Sequence, residues 1–163
     1  MKKPAKAHPR LGIKIQEIMT RDVVTIRPGA SVREAARTMS ERDVGLLPVC
    51  KGGRVLGLLT DRDITVRAIA EGLDPRKTEV QEIMTTDVYF CYGHEDVQDA
   101  VESFEKKQIR RLIILNRKKA LMGVLSIGDL AVDSGDNNLA GEVLKRVSEP
   151  EPLHLQRRRR LPM

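Results

Sequence analysis

An internal duplication constrains this chain more than any other feature. Ile18-Met19-Thr20 recurs as Ile83-Met84-Thr85, and at that offset of 65 Asp22 meets Asp87, Val32 meets Val97, Ala35 meets Ala100, Met39 meets Phe104, Val44 meets Ile109 and Val49 meets Ile114. After one extra residue in the second copy's turn the offset becomes 66, and Gly57, Thr60 and Asp63 fall on Gly123, Ser126 and Asp129. Agreement of residue type over so long a span, with one slip, marks two copies of one supersecondary unit. A chain of 163 residues suffices for one ordinary domain or for two half-sized units that share burial.

Both copies read alike. Val23 to Ile26 is a short β-branched run closed by Pro28-Gly29, which predicts a strand and a turn. Ser31 with Glu34 three residues on is a capping-box pattern, and Val32, Ala35, Ala36 and Met39 then share one helical face, matched by Val97, Ala100, Val101 and Phe104. Leu46 to Cys50 and Val55 to Leu59 flank Lys51-Gly52-Gly53-Arg54 as a hairpin; the second copy has Leu112 to Leu115, a turn at Asn116 to Lys119, and Leu121 to Leu125. A second helix opens at Thr60 and ends near Gly72, a C-cap candidate, and its counterpart opens at Ser126. The expected class is α/β in the α+β sense: two strand-helix-hairpin-helix repeats packed as a pseudo-twofold pair, because each would expose its sheet alone.

The boundaries that follow are a basic tail over 1–11, a first repeat over 12–73, a second over 74–133, and a C-terminal segment over 134–163. Leu73 to Val80 connects the copies. The last segment combines a helix through Leu139, Val143, Leu144 and Val147 with a tail, from Ser148 on, that Pro150, Pro152 and four arginines predict to be disordered.

The net charge of +6 matters through its location. Residues 1–14 hold five basic and no acidic groups, residues 15–135 hold 18 against 19, and residues 136–163 hold six against four. The repeats are about neutral; Lys2, Lys3, Lys6 and Arg157 to Arg160 carry most of the excess. Nucleic-acid binding through the tails is therefore a rival reading, against which the neutral body and the lack of interleaved aromatics count. A scaffold with empty clefts is a second rival. No run approaches the roughly 20 apolar residues of a membrane span, and Met1 to Lys14 has no apolar signal-like stretch, so a cytoplasmic protein is expected. Cys50 and Cys91 stand far apart and read as packed thiols.

The chemistry-bearing motif is Gly57-Leu58-Leu59-Thr60-Asp61-Arg62-Asp63, repeated as Gly123-Val124-Leu125-Ser126-Ile127-Gly128-Asp129. A hydroxyl followed three residues later by a carboxylate, at a strand-to-helix junction, is a capping box. It is equally a place where N–H groups and a hydroxyl meet an anion while a carboxylate accepts bonds from a diol. The two uses are compatible. No catalytic constellation competes: His8, His94 and His154 are scattered, and Asp61 with Asp63, an acid/base or Mg²⁺ candidate in principle, reads as cap and solvated surface.

Over about residues 12–133 these motifs resemble a tandem pair of cystathionine β-synthase (CBS) domains, a Bateman module, in particular the small free-standing bacterial pairs of the hypoxic-response type. The resemblance rests on the two Ile-Met-Thr openings, Leu47-Pro48-Val49, the two G-x-x-[ST]-x-x-D segments, and Thr60 to Asp63 followed by Arg67 to Pro75. It implies a regulatory module that is not an enzyme, needs no cofactor or metal, and takes AMP, ADP or ATP, less readily S-adenosylmethionine or NAD, in two clefts between the repeats. It signals occupancy to an unknown protein client or through a homodimer. Carried over, one cleft uses Thr60 and Asp63 with Thr85, Asp87 and Tyr89, and the other Ser126 and Asp129 with Thr20, Asp22 and Val24. The aspartate holds ribose, the hydroxyl reaches phosphate, and adenine bonds to backbone near the opposite copy's first strand. Arg110 and Arg111 stand where phosphate-binding members often carry a basic pair, against Gly45-Leu46 in the first copy, so unequal affinities are expected. There are two departures: Ile113, where the family usually has proline, reads as minor, and the longer second turn reads as lying away from the clefts. The duplicated face of Val32, Ala35 and Met39 is the expected dimer seam.

Overall fold

The computed structural model describes residues 12–136 and 138–149; the tail predicted at 1–11 lies outside them, as does the one predicted from Ser148 on apart from Ser148, which is helical, and Glu149. The chain runs α1 (Ile15–Ile18), α2 (Val32–Arg42), β1 (Leu46–Lys51), β2 (Arg54–Thr60), α3 (Asp61–Asp63) continued by a π-helical segment Ile64–Ile69, α4 (Val80–Ile83), β3 (Phe90–Tyr92), α5 (Val97–Lys107), β4 (Arg111–Leu115), β5 (Leu121–Ser126), α6 (Ile127–Asp133) and α7 (Leu139–Ser148).

The duplication is visible at atomic detail. Ser31 Oγ accepts the Glu34 N–H at 3.1 Å and starts α2, while Asp99 Oδ2 accepts the Asp96 N–H at 3.0 Å and starts α5. Both helices end on a left-handed residue, Asp43 and Gln108, each at φ 53°. The hairpins β1-β2 and β4-β5 are antiparallel, each with one register shift, at Val49/Cys50 and Ile114/Leu115.

The strand predicted at Val23 to Ile26 does not form as a regular strand; only Ile26 bridges Val49, in parallel. Its counterpart β3 pairs with β4 over three residues. The difference has a covalent cause. In the second copy the Ile113 N–H donates to Tyr89 O at 3.3 Å, but the equivalent position in the first is Pro48, which has no N–H to give. The first sheet is therefore two strands plus a bridge, the second three strands in the order β3-β4-β5. The helix predicted from Thr60 forms, as α3 and the segment Ile64–Ile69; its π-helical character and the short helices α1 and α4 were not legible in the sequence.

The two cores are exchanged along the chain. Ile15, Ile18 and Met19 from the start of the first repeat are buried with Phe104, Leu112, Leu125 and Leu130 of the second. Val80 and Ile83, at the start of the second, are buried with Val32, Leu47, Leu59 and Ala68 of the first. Each repeat thus completes the other's core, which is why neither closes alone. Backbone clasps hold the exchange: Thr20 and Val124 trade N–H···O bonds of 2.9 and 3.0 Å, and Thr85 and Leu58 trade two of 2.8 Å.

The expected dimer seam is corrected. Val32 and Ala35 have no exposed surface and Met39 only 6%, because this face fills the repeat's own core; Ala36, predicted on that face, is exposed. In α7, Leu139, Ala140, Val143 and Val147 pack onto the second core, whereas Leu144, expected on the same face, is 45% exposed. Cys50 and Cys91 are free thiols, and burial pushes both above the usual thiol range.

Candidate functional site

The glycines of the motif explain its spelling. A Cβ on Gly123 would lie 2.6 Å from Thr20 O and 2.8 Å from Met19 Sδ; on Gly57 it would lie 2.8 Å from Thr85 O and 2.7 Å from Met84 Sδ. Only a residue without a side chain lets the opposite repeat's Met-Thr segment cross the strand here. That crossing brings Thr20 and Thr85 beside the hydroxyl and carboxylate of the opposite copy.

Around the second motif lies an open cavity of about 240 Å³. Thr20, Asp22, Val24, Arg111, Ser126 and Asp129 line it together with Val23, Asp43, Val44, Gly45, Leu46 and Val124. The cap and the site share atoms. Asp129 Oδ2 accepts the Ser126 N–H at 2.6 Å and its Oγ–H at 2.7 Å, while Ser126 Oγ accepts the Asp129 N–H at 3.1 Å. The other oxygen, Oδ1, holds only the Thr20 hydroxyl at 3.3 Å. One carboxylate oxygen is thus fixed by the fold and the second faces the cavity, weakly engaged. At the far wall Val24 makes no backbone hydrogen bond among the described residues, because Pro48 gives its carbonyl nothing.

The first motif repeats the cap but not the vacancy. Thr60 N–H and Oγ–H donate to Asp63 Oδ2 at 3.0 and 2.8 Å, and Asp63 N–H returns to Thr60 Oγ1 at 3.1 Å. Here Arg67 enters: its guanidinium pairs with Asp63 Oδ1 at 3.4 Å and donates to Ile83 O at 2.8 Å and Thr85 Oγ1 at 3.0 Å. Asp133 stands at the equivalent position of the second copy, so the second cleft has no such plug. Tyr89 donates to Asp87 Oδ2 at 3.3 Å, its ring sits 4.8 Å from Lys107 Nζ, and its carbonyl is taken by Ile113. Ile113 for proline, read as minor, therefore removes a free acceptor from this cleft.

The two arginines part company. Arg111 lines the cavity, whereas Arg110 donates to Ser148 Oγ at 3.2 Å on the side of α7. The lining then carries three carboxylates, Asp22, Asp43 and Asp129, against one cation. Sequence reasoning missed Asp43, which reaches the cavity because it ends α2 in the left-handed conformation, and Arg67, whose role needs the crossing of Ile83 to Thr85.

A profile of the CBS domain matches residues 15–68 and 80–133, and the chain belongs to that family. CBS domains are characteristically regulatory modules rather than catalytic ones. The chain is 37% identical over 134 residues to the CBS domain-containing protein YhcV of Bacillus subtilis, covering 82% of this chain and 94% of that protein. It superposes on the crystal structure of Hypoxic Response Protein I with two coordinated zinc ions at a TM-score of 0.67 and 30% identity, over 74% of this chain and 98% of that one. It also superposes on the CBS domain protein PAE2072 from Pyrobaculum aerophilum complexed with AMP at a TM-score of 0.68 and 26% identity, over 82% and 99%. Among the described residues no group of three or more His, Cys, Asp and Glu is placed to hold a metal ion, and no helix is long and apolar enough to cross a membrane.

Proposed function

We propose that this CBS pair senses an adenine nucleotide in the cleft built around Ser126 and Asp129, and that AMP is preferred to ADP and ATP. The observation that carries the reading is Asp129 Oδ1, held only by the Thr20 hydroxyl at 3.3 Å, in the lining of a cavity that also includes Val24, whose backbone is unpaired among the described residues. A ribose diol fits the first, as a pair of hydroxyls donating to a carboxylate; the adenine amino edge fits the second. Val24, Val44 and Val124 supply apolar walls for the base. The cavity is smaller than the usual 300–1,000 Å³ of ligand pockets and open, so part of the ligand stays in water. Arg111 alone faces the phosphate against three carboxylates, which sets the preference for one phosphate over three. The AMP complex of PAE2072 supports the ligand class.

The first cleft, with Arg67 on Asp63 and Tyr89 O occupied, is read as closed to nucleotide, which leaves one site per chain. Thr60 then serves as a helix cap and Thr85 serves the repeat interface. Occupancy is passed to a client or to a homodimer. For the latter the exposed faces of the motif helices replace the corrected seam: Val66 and Val132, equivalent at the offset of 66, are 49% and 80% exposed, and Ile69 beside them 56%.

The same acidic lining favours a second ligand, S-adenosylmethionine, whose sulfonium would meet carboxylates where a triphosphate meets repulsion. A thermal-shift series separates the two. At about 100 times its dissociation constant a ligand stabilises the native state by about 2.7 kcal/mol, a rise of roughly 5–10 °C for a domain of this size. AMP should give that rise and Asp129→Asn, at the same AMP concentration, should cut it to about half or less, with the unliganded melting point moved by no more than the loss of a cap. A rise with S-adenosylmethionine alone would select the second ligand, and none with any adenosyl compound would reject the site.

A further inference from the structure

We propose that the face formed by β3 and the turn 116–119 binds single-stranded nucleic acid, with bases on Phe90, Tyr92 and His94 and phosphates on Arg54, Arg117, Lys118 and Lys119. Strand alternation puts Phe90 and Tyr92 on one face while Cys91 turns into the core, and the turn that follows β3 brings His94 beside Tyr92. Phe90 and Tyr92 meet edge to face with centroids 5.6 Å apart, and Tyr92 and His94 lie 5.7 Å apart at 34°. Phe90 is 45% exposed, and β3 is an edge strand, bonded only to β4. Such a row is a stacking platform indifferent to base identity.

Two cavities flank the row. One, of about 480 Å³, sets Phe90 and Leu56 beside Arg54, Lys118 and Lys119; the other, of about 470 Å³, sets His94 and Met122 beside Arg117 and Lys118. Neither lining contains a carboxylate. Among the described residues none of these four cations forms an ion pair. Glu95, beside the row, is held by the Tyr92 N–H at 2.7 Å. In a body that is about neutral as a whole, this is a local excess of four cations next to three rings.

The fold fixes the backbone of the turn that carries Arg117, Lys118 and Lys119. Asn116 Oδ1 accepts the N–H groups of Lys118 and Ala120 at 2.9 and 3.0 Å, and Lys119 takes the left-handed conformation at φ 60°. This turn carries the extra residue that breaks the repeat's register. The first copy has Gly52-Gly53 in its turn, and Thr25, Arg27 and Gly29 stand where the second has Phe90, Tyr92 and His94. The aromatic row and the lysine-bearing turn therefore belong to the second copy alone, with Arg54 and Leu56 added from the first, unlike the duplicated clefts. Aromatic and basic residues that are not interleaved in sequence are interleaved in space.

The test is fluorescence anisotropy of the full chain with a labelled 12-nucleotide poly-dT or poly-U strand, over a series of salt concentrations. The single strand should bind at least tenfold more tightly than a duplex of the same length. Phe90→Ala should weaken it about tenfold, and Lys118→Glu with Lys119→Glu at least tenfold with a shallower salt dependence. Circular dichroism and the AMP-induced melting shift, unchanged in both variants, would show that folding and the nucleotide cleft are intact. No binding by the wild type, equal affinity for duplex, or full affinity in both variants, as the basic tails alone would give, overturns the proposal. So does displacement of the strand by poly-glutamate as effectively as by unlabelled strand, which would make this an acidic-peptide surface.

Discussion

Gly123 and Pro48 each act through something they lack. A methyl group on Gly123 would collide with the Thr20 carbonyl that the strand bonds, and the clasp between repeats would have to open to make room. Gly123→Ala should therefore destabilise the protein by about 1–3 kcal/mol in urea unfolding. Gly141→Ala is the control: nothing lies within 4 Å of a Cβ there, the position is helical, and the change should stabilise by up to about 1 kcal/mol. Equal effects at the two glycines would show that close approach is not what the motif glycine serves. Both motif aspartates were legible as caps from spacing alone, since a capping box is local. What distinguishes them was not legible, because Arg67 acquires its role only through contacts with the opposite repeat, and the carbonyls of Val24 and Tyr89 through residues more than twenty positions on, Pro48 and Ile113.

The elements follow the same division. Helices α2 and α5 and both hairpins were readable, because apolar period, caps and turn residues are properties of neighbouring residues. The strand over Val23 to Ile26 failed because a single missing N–H on β1 decides whether it is paired. The face Val32, Ala35, Met39 was legible as apolar but not as to what it covers; a periodic pattern says that a face is buried and not against what. Three of the exposed large apolar residues, Val66, Ile69 and Val132, fall instead on the π-helical segment and α6. If these form the seam between copies, Val132→Asp should convert a dimer into a monomer in light scattering while Ala36→Asp, on the exposed side of α2, leaves it unchanged. A dimer that survives Val132→Asp would place the seam elsewhere.

At the scale of the molecule, duplication made the architecture readable, and the slip in its register marked where the copies diverge. The exchange of α1 and α4 between cores was hidden, since sequence likeness groups residues by copy and not by contact. The consequence is functional: Thr20 and Val24 reach the Ser126 motif because the first repeat's opening segment is built into the second core. Two clefts of common ancestry are thereby made unlike, one holding its own arginine and the other an open carboxylate oxygen. Calorimetric titration with AMP tests that claim most directly, using wild type, Asp63→Asn, Asp129→Asn and Arg111→Ala. Wild type and Asp63→Asn should bind one AMP per chain with similar affinity. Asp129→Asn should lose tenfold or more, as expected for charge-assisted bonds of about 1.5–3 kcal/mol, and Arg111→Ala should lose affinity for AMP but not for adenosine. Equal affinities across the four proteins, or a loss confined to Asp63→Asn, would contradict the account.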